Sequence, residues 1–419
     1  METPYASVQL FSGGGTRFGY YLGSYAALCE QGHRPELILA TCGGSLAALL
    51  VDLAPEPQQL QVLMQSREFY EVIRASQPRR PLTNKAKTLG FSTQYPDYFY
   101  NALKRWRLTR QPHKLSQRQI NESHDDLLAE LQHLAMFEMG QNDEWFSALD
   151  QLKAEANARS VTHTKDAQQN TTDIAMIASR LLPAVVNSHI EANSVPLKKS
   201  NSVQLQEILF APNKLTHYPK LSAELTCPTH PYAPHRITRE VYTSYDWDIH
   251  QAVRASMADM YYLQPTHITD LGWCLGGVIN LTPIELACQL GQTVFAETKS
   301  PYDKHLAAPA IQRVFGFDPN QRLNQVHSHT HSGVSSRDLD SNRSEAQITA
   351  QSTGIHWLPF ADNGKVLAGQ HVRKRINLKA GLIDLIHADY ANFVKQMQAQ
   401  WDYGYSRTTA YLNQTKGQL

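Results

Sequence analysis

Residues 12–50 read SGGGTRFGYYLGSYAALCEQGHRPELILATCGGSLAALL, and their two strand-to-helix turns decide the fold. The first turn, Gly13-Gly14-Gly15-Thr16-Arg17-Phe18-Gly19, follows the short apolar run Val8–Phe11 and opens a helical segment, Tyr20–Gln31, that Gly32 is suited to stop. Glycines there let the backbone bend sharply and aim its N–H groups at an anion. The second turn, Thr41-Cys42-Gly43-Gly44-Ser45, joins the apolar run Leu37–Ala40 to Leu46–Leu53. That last segment is apolar on nearly every face except at Asp52, so it belongs inside the molecule. Ser45 in Gly43-Gly44-Ser45-Leu46-Ala47 has the small neighbours of a G-x-S-x-A nucleophile elbow. Attack by its hydroxyl on an ester would create an oxyanion. The N–H groups of Gly13, Gly14 and Gly15 are the expected donors, each contributing roughly 2.7–4 kcal/mol. Taken singly, the loop is a phosphate cradle or a tight turn, and Ser45 a buried helix cap. Neither G-x-G-x-x-G with its acidic partner nor the P-loop pattern fits, and the pairing of the two turns favours the nucleophile reading.

Working outward, residues 55–202 turn polar and are helical where periodic: Gln58–Ala75, Asp125–Phe137 and Asp173–Val186. Pro81, Pro96 and Pro112 break the early part, and Asn157–Thr172 reads as a loop. Order returns near Val203. Arg236–Tyr242 alternates like a strand, Ile249–Met260 is helical, and Thr282-Pro283-Ile284-Glu285 has the makings of a capping box for a helix that ends at Gly291. Thr293–Ala296 and Ile355–Phe360 read as strands, and Leu378–Gln400 as an amphipathic helix. Alternating short strands and helices point to an α/β layered sheet.

Charge and cysteine usage exclude some functions. With 39 basic against 38 acidic residues the net charge is +1, which argues against nucleic acid as the partner. Five scattered cysteines form no CxxC pair, so reduced thiols in a cytoplasmic protein are expected, with no cofactor. No signal peptide is read at the start, and no apolar run approaches a membrane span. The alternating His327, His329 and His331 resemble a zinc or copper set, but a polar loop is the commoner outcome and no metal is expected. Arg373, Lys374, Arg375 and Lys379 could face anionic lipid, although a solvated surface is the commoner outcome.

The quoted stretch is similar to the opening of patatin-like phospholipases, which carry a GGGxxxG oxyanion loop followed by G-x-S-x-G. AVRASMADMYYLQPTHITDLGWCLGGVINLTPIELACQLG, residues 252–291, resembles the second block of that family. The resemblance implies a three-layer α/β fold: a core over 1–54 and 203–300, a helical insertion or cap over 55–202, and a C-terminal α+β extension over 301–419. It also implies a Ser–Asp dyad without histidine, acting without metal on esters of fatty acids, often phospholipids, at a membrane surface. Two departures stand out. Ala47 replaces the last elbow glycine, and Leu275-Gly276-Gly277 replaces D-G-G. Leucine accepts no proton, which leaves Ser45 without its base. Asp270, five residues upstream, is the stand-in, with His267 the nearest histidine. Arg17 and Gly44 are placed beside the substrate. The resulting expectation is a serine-dependent lipid acyl hydrolase. The alternative is an inactive relative that binds lipid or a protein partner.

Overall fold

A computed structural model describes residues 3–13, 15–78, 124–135, 137–139, 142–160, 171–182, 203–259, 263–304, 307–329, 354–377 and 382–415. Strand β1 (Tyr5–Ser12) leads through a short turn to helix α1 (Gly19–Glu30), and β2 (Leu37–Thr41) leads to α2 (Gly43–Leu53). Helices α3 (Pro57–Met64) and α4 (Arg67–Arg74) follow, then a small hairpin of β3 (Ser76–Pro78) with β4 (Phe137–Met139). Around that hairpin lie α5 (His124–Leu134) and α6 (Asn142–Ser160). The chain then runs through β5 (Asp173–Leu182), β6 (Gln204–Phe210), α7 (Pro219–Glu224), β7 (Tyr242–Ser244), α8 (Ile249–Met257), β8 (Thr266–Ile268), β9 (Gly272–Leu275), α9 (Ile284–Leu290) and β10 (Gly291–Glu297). Last come α10 (Ala307–Phe315), α11 (Pro319–His327), β11 (Ile355–Leu358), α12 (Asn363–Val366), β12 (Arg373–Asn377), β13 (Leu382–Ile386) and α13 (Tyr390–Gln414).

The main sheet has the order β11-β10-β1-β2-β5-β6-β7, parallel from β11 through β5. Period-two alternation sorts its side chains onto two faces. Val8, Leu10, Leu37, Leu39, Ala175 and Ile177 face α9 on one side. Phe11, Ile38, Ala40, Met176 and Ala178 face α1, α2 and α13 on the other. Helix, sheet and helix therefore form the three expected layers. All residues from Gly43 to Val51 of α2 are buried, as a helix apolar all round requires.

Several boundaries differ from the sequence reading. The described part of Asp173–Val186 is strand, not helix: β5 (Asp173–Leu182) pairs with β2 on one side and β6 on the other, in the middle of the sheet. Its alanines, methionine and leucines favour helix intrinsically, and a run buried on both faces has no period to reveal a strand. The insertion therefore cannot reach residue 202, because the core resumes by Asp173. The C-terminal third is not an appendage either. β11 extends the parallel sheet beside β10, and α13 packs on α1. The described part of Leu378–Gln400 divides, with β13 pairing to β12 and a helix beginning at Tyr390. Of the predicted strand at 236–242, Tyr242 alone enters a strand, while Ile237 makes a single bridge to Leu205. Thr282 does not cap α9, and Glu285 instead binds Arg322 through two bonds of 2.7 and 2.6 Å. Among the described residues no helix is long and apolar enough to cross a membrane.

Candidate active site

Cys42 alone makes the turn between β2 and α2, since β2 ends at Thr41 and α2 begins at Gly43. Its backbone sits at φ 51° and ψ −126°, and no other non-glycine among the described residues has positive φ. Holding a residue with a side chain there costs about 1–3 kcal/mol, a strain that persists only where surrounding structure enforces it. The enforcement is visible. A Cβ at Gly44 would lie 1.9 Å from the Phe11 carbonyl oxygen, and one at Gly43 would lie 2.4 Å from that of Gly15. Neither position tolerates a side chain, so α2 starts pressed against β1 and the glycine loop. Gly44, expected beside the substrate, is held by this packing against β1.

The elbow thus falls at Ala40-Thr41-Cys42-Gly43-Gly44, with small residues two before and two after the apex. This places it three residues earlier than the serine-based reading. Ser45 is 0 % exposed and donates its hydroxyl to Ser256 Oγ at 2.8 Å. The hydroxyl of Ser45, the expected nucleophile, is thus held inside α2 against Ser256. Ser256, at the end of α8, ties the turn together. Its Oγ also accepts the Cys42 N–H at 2.9 Å and donates to the Ile177 carbonyl at 2.6 Å.

Cys42 is partly buried, and its thiol donates toward Asp259 Oδ2 at 3.9 Å. Burial of the sulfur, then the Asp259 charge, push this thiol well above its ordinary range, while the Gly43 N–H and Lys299 pull the other way. Asp259 lies just beyond α8, whose N-terminus is capped by the Asp248 carboxylate accepting from the Gln251 N–H at 2.9 Å. The Gly276 N–H donates to the Ala258 carbonyl at 2.7 Å, and a Cβ at Gly276 would meet the Asp259 Cα at 3.0 Å. Beneath it is Arg254, 4 % exposed, lowered to about 10 by burial against the opposing pull of Asp259.

The glycine loop reaches the elbow as the sequence suggested, but its donors are partly spoken for. Gly13 gives its N–H to the Thr41 carbonyl at 3.0 Å, so its expected part in an oxyanion hole is corrected. Gly14 lies outside the described residues. Gly15 is exposed, with its backbone against Gly43. Under the loop, Glu297 is 1 % exposed and accepts from Ser12 Oγ at 2.8 Å, Tyr20 at 2.6 Å and Tyr21 at 2.5 Å. Lys299 pairs with it at 3.0 Å and donates to the Ser12 carbonyl. A carboxylate with this many donors is a satisfied buried charge that fixes the loop's root.

The remaining candidates lie elsewhere. Asp270, the expected stand-in acid, is exposed at the tip of the β8–β9 hairpin, whose register pairs Ile268 with Gly272. His267 packs edge-on to Trp273 in that hairpin. Leu275 is fully buried in an apolar cluster with Leu181, Leu205, Val278 and Ile279. Arg17 is half-buried with its guanidinium beside Gly364, where an added Cβ would lie 3.2 Å from Nη1. His327 accepts from the Lys299 N–H at 3.3 Å, and His331 falls outside the described residues. No group able to hold a metal occurs among the described residues. Arg373 and Arg375 lie on β12, and Lys379 is outside the described residues.

Cys42, Asp259, Ser256, Lys299 and Glu297 escaped the sequence reading. Cys42 had a signal: it follows the strand directly, with Ala40 and Gly44 at the elbow spacing. Asp259 had none, because nothing local tells that residue 259 returns to residue 42.

No curated protein sequence matches the chain. Among solved structures it is similar to the crystal structure of VipD from Legionella pneumophila, at 10% identity over 98% of this chain and 67% of that one. The TM-score is 0.32, too low to carry an argument. The Patatin-like phospholipase family matches residues 10–288, a span that takes in the glycine loop, the Cys42 elbow, β5, Asp259 and the Gly276-Gly277 turn. With more than half of its length matched, this chain belongs to the patatin-like phospholipase family.

Proposed function

We propose that the protein hydrolyses acyl esters of lipids through an acyl-thioester on Cys42. The observation that carries this reading is the backbone of Cys42. A strained φ of 51° at the single residue between β2 and α2 is what an elbow imposes on its nucleophile. A thiol is intrinsically a stronger nucleophile than a hydroxyl, and it sits where the α2 N-terminus and the Gly15 backbone converge. The Gly43 N–H, first in α2, and the Gly15 N–H are the donors proposed for the oxyanion. Ser45 and Ser256 hold the turn, and Glu297 and Lys299 hold the root of the loop. The substrate is reached at a lipid surface.

Turnover of a short-chain p-nitrophenyl ester and of phospholipid vesicles tests the assignment. Cys42→Ala removes all turnover above buffer, and brief incubation of the wild type with ester leaves the acyl mass on the peptide carrying Cys42. Ser45→Ala folds and retains activity within about tenfold, the loss reflecting one buried hydrogen bond. Full activity in Cys42→Ala with none in Ser45→Ala would return the nucleophile to Ser45.

A further inference from the structure

We propose that Asp259 is the proton acceptor for Cys42, so that the acid of the dyad has moved from position 275 to a different part of the chain. The inference rests on the reading of Cys42 as nucleophile and supplies the base that reading lacks. Three observations converge. The Asp259 carboxylate faces the thiol, Oδ2 to Sγ at 3.9 Å, with the thiol donating. Position 275 is occupied by a leucine sealed in an apolar cluster. The two chain segments also touch. The Gly276 N–H binds the Ala258 carbonyl, and the Gly276 Cα leaves no room for a side chain against Asp259. The loop after α8 and the end of β9 therefore flank one elbow, and it is the loop after α8 that brings a carboxylate to face it.

The sheet explains why. β2 pairs with residues 173–177 of β5, and β9 takes the same edge at residues 179–180, where β2 has already turned off. The gap holding Cys42 is thus walled by β9, and α8 leads residue 259 into the same gap. Charged groups facing the pair are Arg254 behind Asp259, and Lys299 near Cys42.

In the acylation step Sγ bonds to the ester carbonyl carbon, the carbonyl π pair moves onto oxygen, and the thiol proton passes to Asp259 Oδ2. Collapse breaks the carbon–alkoxide bond, and Asp259 returns that proton to the departing alcohol. Water then attacks the thioester and gives its proton to Asp259, which passes it to the released sulfur. One ester and one water become one acid and one alcohol, with no other reactant.

The test uses Asp259→Asn, Asp259→Glu and Cys42→Ala, each assayed for ester turnover and for alkylation of Cys42 by iodoacetamide at pH 8. Removing the neighbouring negative charge frees the thiolate, so Asp259→Asn is expected to alkylate faster at Cys42. Its kcat nonetheless falls by roughly 10²–10⁴-fold with KM little changed, the loss typical of a missing general base. Asp259→Glu recovers part of that loss. Faster alkylation with slower turnover separates loss of a base from loss of fold, and protection of buried Cys227, Cys274 and Cys288 confirms folding. If Asp259→Asn exposes those three, the Asp259→Glu protein is compared with wild type instead, and turnover more than 10³-fold down in a folded protein counts against the proposal. Turnover of Asp259→Asn within threefold of wild type, while Cys42→Ala is dead, overturns the role of Asp259 alone. An active Cys42→Ala overturns the nucleophile reading beneath it.

Discussion

At Leu275 a single side chain separates two accounts of the site. A sequence comparison invites the repair Leu275→Asp, as if the missing carboxylate needed only to be restored. The structure predicts the opposite outcome, because that side chain lies fully buried among Leu181, Leu205, Val278 and Ile279. An aspartate there is desolvated with no cation supplied, a change expected to destabilise by about 3–5 kcal/mol. Urea unfolding of Leu275→Asp checks this, and an unchanged midpoint would show that the position opens to solvent. Ser256→Ala is the second residue-scale prediction. It strips acceptors from the Cys42 N–H and the Ser45 hydroxyl and a donor from the Ile177 carbonyl. A stability loss of about 1–3 kcal/mol is expected, with a fall in kcat larger than in the Ser45→Ala protein. Much of this scale was legible in advance: the glycine loop, the elbow region and the vacant acid position all stand in the sequence. The apex that we propose, Cys42, was passed over because the reading followed the residue type that usually does the chemistry and not the position of the turn. Asp259 was beyond reach, since its role depends on a contact spanning more than two hundred residues of chain.

Between elements, α1 and α13 cross with their backbones in close contact. A Cβ at Gly23 would lie 2.0 Å from the Trp401 carbonyl oxygen, and one at Gly404 would lie 1.9 Å from that of Tyr20. Both atoms are backbone, so neither helix can yield without moving bodily. Gly404→Ala is therefore expected to cost at least about 2 kcal/mol, against the gain of roughly 1 kcal/mol that the same change brings in an isolated helix. Thermal melting of Gly404→Ala reads the sign directly. The sequence showed α1 and hinted at a C-terminal helix, but not their union, because a helix whose one stripe is glycine and small residues carries little apolar period. β5 was hidden for a related reason. Buried on both faces, it offers neither the period of two nor that of 3.6 on which a sequence reading depends.

At the scale of the whole molecule, two buried groups contribute to stability against pH in opposition. His356 is 4 % exposed and lowered to about 4, chiefly by burial and further by His33. Its contribution is complete above pH 6.5 and is lost as pH falls toward 4, because the unfolded chain takes up that proton first. Glu207 is 1 % exposed and raised to about 7 by burial, against the pull of Cys227 and Asn280. Its contribution runs the other way, complete below pH 4.5 and lost as pH rises through 7. Each shift corresponds to roughly 3 kcal/mol, so across weakly acid pH the two largely offset one another. Glu207→Gln removes one of them. Such a protein is expected to exceed wild type in stability by about 2–3 kcal/mol at pH 8, with the difference shrinking toward pH 5. Denaturant midpoints at the two pH values test it. Above pH 10 the raised Tyr20, Tyr21 and Lys299 act together, and stability falls as their protons are drawn off in the unfolded chain.

The glycine loop is made well before the residues that hold its shape. Gln400 on α13 accepts the Gly19 N–H at 2.8 Å and donates to the Thr16 carbonyl at 3.3 Å, while Glu297 and Lys299 grip Ser12 from below. During synthesis, therefore, the elbow emerges from the ribosome long before the residues that shape the loop above it. A half-made chain can expose the thiol but has no assembled oxyanion cradle. The proposed lipid attack would be withheld until α13 has been translated and has docked.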